Sequence, residues 1–342
     1  MDASRFDALA KHLSGTGTRR RLLGALVNVP LAGGILAPLA PDETDAHGRR
    51  KRRVRRNRHG GGGRRRRKRN TRRKTCSGLK PTDDLQAAIH AAIDGDTLIL
   101  CAGVWNLAAT LEIDRSLTLV GAGAGQTILD GLDQRRVLQI FFPVSVTLQA
   151  LTITRGRDSS GGAGIRAAGY LTLIDVAVTG NHVVAPAVLG GGAIINHGNL
   201  TLRNSRITGN TSEGPTGGGI FNMAGVVSLE SGSRIEENSA AVGGGVANHG
   251  GQVTLEDGSQ VARNTANVGG GISNGNGGSV TLHAGSRLEA NSASPGGAIY
   301  NLSSGGPVTV EAGALICNNS APQCHGNSIS GACPSPVGDC PA

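Results

Sequence analysis

The sequence predicts an all-β fold, a parallel β-helix solenoid of about nine coils with an N-terminal cap helix and a Cys-rich C-terminal cap. Three in-phase repeats predict it. Gly-Gly-(Gly/Ala)-apolar segments place Ile165, Ile194, Ile220, Val246, Ile272 and Ile299 at spacings of 29, 26, 26, 26 and 27 residues. An apolar–hydroxyl–apolar triplet keeps the same phase, from Leu171-Thr172-Leu173 through Leu200-Thr201-Leu202 to Val308-Thr309-Val310. An apolar-x-x-Asn element closes each unit: Val178 with Asn181, Ile207 with Asn210, Ile235 with Asn238, Val261 with Asn264.

Period-2 segments this short, punctuated by Gly and Asn, exclude helical repeats. Each is too small to bury a face alone, so the units must stack, three strands to a turn and ~4.8 Å per coil. Val, Leu and Ile then point inward while Thr, Ser and charges point out. Asn196, Asn222, Asn248, Asn274 and Asn301 fall over one another at a turn, where an amide ladder satisfies them. A leucine-rich horseshoe has a similar period, but its Leu-x-x-Leu-x-Leu spacing is missing. Collagen is excluded because the 55 glycines keep no three-residue period.

The chain divides by charge. Of its 342 residues, 1–74 hold 22 Lys+Arg against 5 Asp+Glu, net +17, and 75–342 hold 12 against 19, net −7. A basic leader on an acidic body does not imply a nucleic-acid-binding domain. Arg19-Arg20-Arg21 precedes an uncharged, weakly apolar stretch from Leu22 to Ala40, so residues 1–46 read as a secretory signal resembling a twin-arginine signal. The rival is a membrane span, against which Asn28, Pro30 and Pro38 count. Residues 47–75 read as a disordered basic linker, with 17 Lys+Arg between 49 and 74 and Val54 as the one apolar interruption. That run is a solvated spacer or a tether to an anionic envelope polymer or phospholipid surface. Specific nucleic-acid binding ranks below both, for want of aromatic interleaving.

Residues 76–321 form the predicted solenoid and 322–342 its Cys-rich cap or tail. Leu85, Ala88, Ile89 and Ala92 make a short amphipathic helix, capped by Thr82, that plugs the open end. Cys76 and Cys101 precede the array; Cys317, Cys324, Cys333 and Cys340 follow it. An even count in an exported chain points to disulfides, with Cys76–Cys101 pinning the helix and three pairings open to the last four. Structural zinc is the rival, but no close Cys-x-x-Cys pair supports it.

These residues carry a resemblance. Residues 79–321, opening with Ala91-Ala92-Ile93-Asp94-Gly95-Asp96-Thr97, resemble the right-handed parallel β-helix proteins of the pectin-lyase-like superfamily. The Gly-Gly-(Gly/Ala)-(Ile/Val) units with a later apolar-x-x-Asn resemble the passenger repeats of chlamydial polymorphic outer-membrane proteins. Those favour Phe in the second motif and end in a membrane barrel, whereas Ile, Val or Leu stands here and the sequence stops at Ala342.

The resemblance implies either a polysaccharide-active enzyme or an exported surface protein. Asp83-Asp84 fits a helix start rather than catalysis. His197 and His249 occupy matching turns two coils apart with Met223 between them, and read as surface turn residues. One outward column reads Arg203, Glu230, Glu256, His283, Glu311. Stacked acids there could share a proton or bind a cation, but a salt-bridge ladder is the expected reading. No catalytic, cofactor or metal residues are assigned. The expected function is a non-catalytic surface or envelope protein acting as a rigid adhesion or scaffold rod. The alternative is a polysaccharide lyase, hydrolase or binding module, against which the 2% aromatic content counts.

Overall fold

A computed structural model describes residues 76–185, 190–230, 232–331 and 333. The predicted signal (1–46), the basic linker (47–75) and Cys340 lie outside the described residues. Among the described residues the fold is a parallel β-solenoid with almost no helix. Three long sheets run its length with ten, nine and nine strands, so that first and last strands are about eight turns apart. The first sheet begins at Asp96–Ile99, the second at Gly103–Asn106 and the third at Leu111–Ile113. Every pairing between successive coils is parallel and in register, as in Leu171↔Leu200, Val178↔Ile207 and Ile194↔Ile220.

Alternation fixes which side is which. In Asn199–Arg203, Leu200 and Leu202 are buried while Asn199, Thr201 and Arg203 face outward. Repeated in each coil, this stacks Leu, Ile and Val into one continuous core. Burial of such columns is the main stabilising term, at roughly 25 cal/mol per Å² of apolar surface.

Two details depart from the sequence expectation. The helix, α1, spans Leu85–Ala91 and is capped by Asp84, not Thr82; the Asp84 side chain accepts from the Ala87 amide at 2.9 Å. A turn closed by Asp83 N–H to the Lys80 carbonyl delays the helical start past Thr82. Leu85 and Ile89 on α1 join the core. In addition, a fourth sheet of five short strands lies between the second and third, from Arg157–Asp158 to Thr265–Val268. It occupies the stretch between the second sheet and the glycine run.

The glycine run then turns the chain back. Gly243 has φ +66°, and a Cβ there would sit 2.5 Å from the Val246 carbonyl oxygen. Only glycine tolerates both conditions.

Disulfides join Cys76 to Cys101 and Cys324 to Cys333, with Cα separations of 5.7 and 6.2 Å; Cys317 is also disulfide-bonded. Such bonds persist in oxidising surroundings. Among the described residues, no helix is long and apolar enough to cross a membrane.

Candidate functional site

Four groups of side chains gather by register. The first is structural. Nδ2 of Asn196 donates to Oδ1 of Asn222 at 2.8 Å, Asn222 to Asn248 at 2.8 Å, Asn248 to Asn274 at 2.7 Å and Asn274 to Asn301 at 2.8 Å. Each also donates to a carbonyl in the following turn, such as Gly251 for Asn248. Ala167 occupies the same position one coil before Asn196, which leaves the Asn196 Oδ1 without a donor and starts the ladder there. A second ladder runs through Asn181, Asn210, Asn238, Asn264, Asn291 and Asn319. From Asn210 onward each Oδ1 takes both the side-chain and the backbone N–H of the asparagine one coil earlier, while Asn181 Oδ1 accepts from the Gly156 amide.

The second group is the outward charged column on the first sheet. Arg203 holds Glu230 through two bonds, Nε to Oε2 at 2.6 Å and Nη2 to Oε1 at 3.1 Å. His283 lies between Glu256, at 3.9 Å, and Glu311, at 2.9 Å. The His283 contact lowers the Glu311 pKa. Arg203 thus takes Glu230, while His283 sits closest to Glu311 and farther from Glu256. These side chains are a third to a half exposed, where such pairs contribute little.

The third group was not legible in the sequence. Phe141, Phe142 and Tyr170 are 40%, 71% and 48% exposed, and Ile93 is 72% exposed. They share the corner where the third sheet turns into the first, in the early coils. The Tyr170 amide donates to the Val144 carbonyl, and Tyr170 pairs with Ser145, three residues past Phe142. Beside them a shallow recess is lined by Ile93, Asp94, Asp114, Arg115, Ser116 and Pro143. Arg115 is pinned there: Nη1 donates to the carbonyls of His90 and Ala92, and Nε to Asp114. That bond holds the Asp114 carboxyl below its ordinary pKa. So three of the chain's seven aromatics, Phe141, Phe142 and Tyr170, gather at one corner. Alongside runs an outward hydroxyl column that includes Thr118, Thr147, Thr172, Thr201, Ser228 and Thr254.

The fourth group is His197, Met223 and His249, stacked in three successive coils. The two histidines are half-buried, which corrects their reading as plain surface turn residues. They lie beside a small apolar cluster of Ile195, Phe221 and Ala247 on the outer side of the third sheet. Among the described residues, no group of three or more His, Cys, Asp or Glu is placed to hold a metal ion.

Comparison with protein-family models, curated proteins and solved structures returns no match for this chain.

Proposed function

We propose that the chain is an exported, non-catalytic rod that acts at the cell envelope in adhesion or as a scaffold. The observation that carries this reading is the pair of buried asparagine ladders. They bond coil to coil through side chains at two separate corners, in addition to the backbone ladders of the sheets. A fully satisfied buried polar network stiffens and specifies the structure that contains it. Stiffness along one axis is what a spacer or display element uses.

The address comes from the ends of the sequence. The twin-arginine-like signal in 1–46 supplies export, and the disulfides close afterwards in an oxidising compartment. The basic run 49–74 supplies retention on an anionic envelope polymer or phospholipid surface, at ~1 kcal/mol per basic residue near the surface. We read the solenoid as right-handed and pectin-lyase-like, with repeats similar to the chlamydial passengers. Right-handed crossovers are the rule for parallel strands, and the glycine motifs carry the rest.

Fractionation of cells expressing the full chain tests the proposal. The protein should sediment with envelopes, elute at moderate salt, and lose retention when the Lys and Arg of 49–74 become Gln. Retention indifferent to both changes removes the tether. Depolymerisation of any member of a uronic-acid polymer panel removes the non-catalytic reading.

The exposed corner favours a second reading, polysaccharide binding. Phe142 and Tyr170 offer flat apolar faces, and Asp94, Asp114 and the threonine column offer hydrogen bonds along the axis. Phe142→Ala with Tyr170→Ala should abolish retention on an immobilised glycan that binds the parent chain. Unchanged retention eliminates the corner as the binding face.

A further inference from the structure

We propose that His197, Met223 and His249 form a site for a soft monovalent metal ion, Cu(I) or its congener Ag(I). Register brings them together. Asn196, Asn222 and Asn248 pair in successive coils, and the next residues, His197, Met223 and His249, stack at the same corner, ~4.8 Å apart per coil. Apart from Met1, Met223 is the one methionine in the sequence, and it falls between the two histidines.

The surroundings suit a soft cation. Met223 packs against the apolar cluster of Ile195, Phe221 and Ala247, and the Phe221 and His249 rings meet edge-on at 6.1 Å. The His197 Nε2 is buried without a hydrogen-bond partner. Such an atom is uncommon in a folded protein and calls for a ligand to explain it. The Asn276 amide nitrogen lies against both ring nitrogens of His249, so a bound ion would take the place of one of these contacts.

The donor set selects the ion. Two imidazoles and a thioether carry no charge, and thioether sulfur favours Cu(I) over harder dications. Arg166 beside His197 acts in the same direction, because its repulsion is twice as large for a dication.

The test uses the full chain with its disulfides intact and methionine labelled at the methyl carbon. One equivalent of Ag(I) should shift the Met223 methyl resonance to saturation and leave that of Met1 in place. In competition with a chromogenic Cu(I) chelator under ascorbate, Met223→Leu and His197→Ala should each weaken Cu(I) binding at least tenfold. His197→Ala copies Ala168, which holds the same position one coil earlier, and the thermal midpoint checks that both variants fold. An unmoved Met223 resonance overturns the site. So does parental Cu(I) affinity in both folded variants, or displacement of Ag(I) by an equal concentration of Zn(II).

Discussion

Replacing Asn248 with leucine tests the coil-to-coil bonding on which the rod reading depends. The Asn248 amide nitrogen donates to Asn274 Oδ1 at 2.7 Å, to the Gly251 carbonyl at 2.9 Å and to the Ser279 carbonyl at 3.2 Å. Its oxygen accepts from Asn222 at 2.8 Å. In the variant, Asn222 keeps the carbonyls of Gly225 and Gln252, so the donor side survives. The buried acceptor Asn274 Oδ1 loses its donor, whereas Gly251 O keeps the Ser279 amide. One stranded acceptor makes the expected loss ~1–3 kcal/mol. A midpoint shift of about 2–4 °C per kcal/mol makes that measurable by thermal unfolding as well as in urea. Asn199→Leu is the matched control: Asn199 is exposed on a strand, and Val226 holds the same column one coil on. It should change stability by no more than about 0.5 kcal/mol. Asn276 would serve badly, since it has φ +53° and touches His249. Equal, small effects at Asn248 and Asn199 would refute the ladder as a stabilising element.

Three further outcomes follow from the described contacts. His197 and His249 have pKa values lowered from 6.5 by burial, so below pH 6.5 the unfolded chain takes up protons that the folded chain refuses. Stability should therefore fall as pH drops from 6.5 toward the lowered folded values, and a His197→Ala, His249→Ala variant should show a flatter urea midpoint across that window. Removing the Cys76–Cys101 bridge by paired serine substitution frees a 25-residue separation and should cost about 3 kcal/mol in denaturant unfolding. Glu230→Gln, at an exposed pair, should cost less than about 1 kcal/mol, whereas Arg155→Gln leaves the buried Asp130 carboxylate with the Leu132 amide alone and should cost clearly more. Similar losses in a urea comparison of those two variants would contradict the burial argument.

The parts of this molecule that were legible in the sequence are those that repeat. A column such as Leu200, Val227 and Val253 is visible because period 2 within a strand and a spacing near 26 between coils leave one register that buries every member. The asparagines were legible for the same reason, and a buried amide at a recurring turn has no better partner than its own copy.

What escaped the sequence lies where the repeat is broken or where burial is not inward. Phe142 and Tyr170 stand 28 positions apart and belong to different motifs; only the parallel register, pairing Tyr170 with Ser145, brings them to one corner. Ile195, Phe221 and Ala247 occupy outward positions that alternation assigns to solvent, yet each is less than 5% exposed. The glycine run of each coil folds back over them, as Gly217 does beside Phe221 and Gly243 beside Ala247, and only the folded chain shows that cover. The turn before the second asparagine ladder needs a left-handed residue, and Glu237, Arg263 and Ala290 supply it with φ between +53° and +59°. Gly180 and Gly209 mark that bend in the two earliest coils, at φ +62° and +63°; in the later coils no glycine does, and the two bonds that each neighbouring Asn Oδ1 accepts from the coil before hold it. The outer surface of a solenoid is therefore harder to read than its core. Core residues answer to a single repeated constraint, whereas a surface site such as His197–Met223–His249 is assembled from residues that differ in every coil. The repeat sets their spacing, and the departures from the repeat set their chemistry.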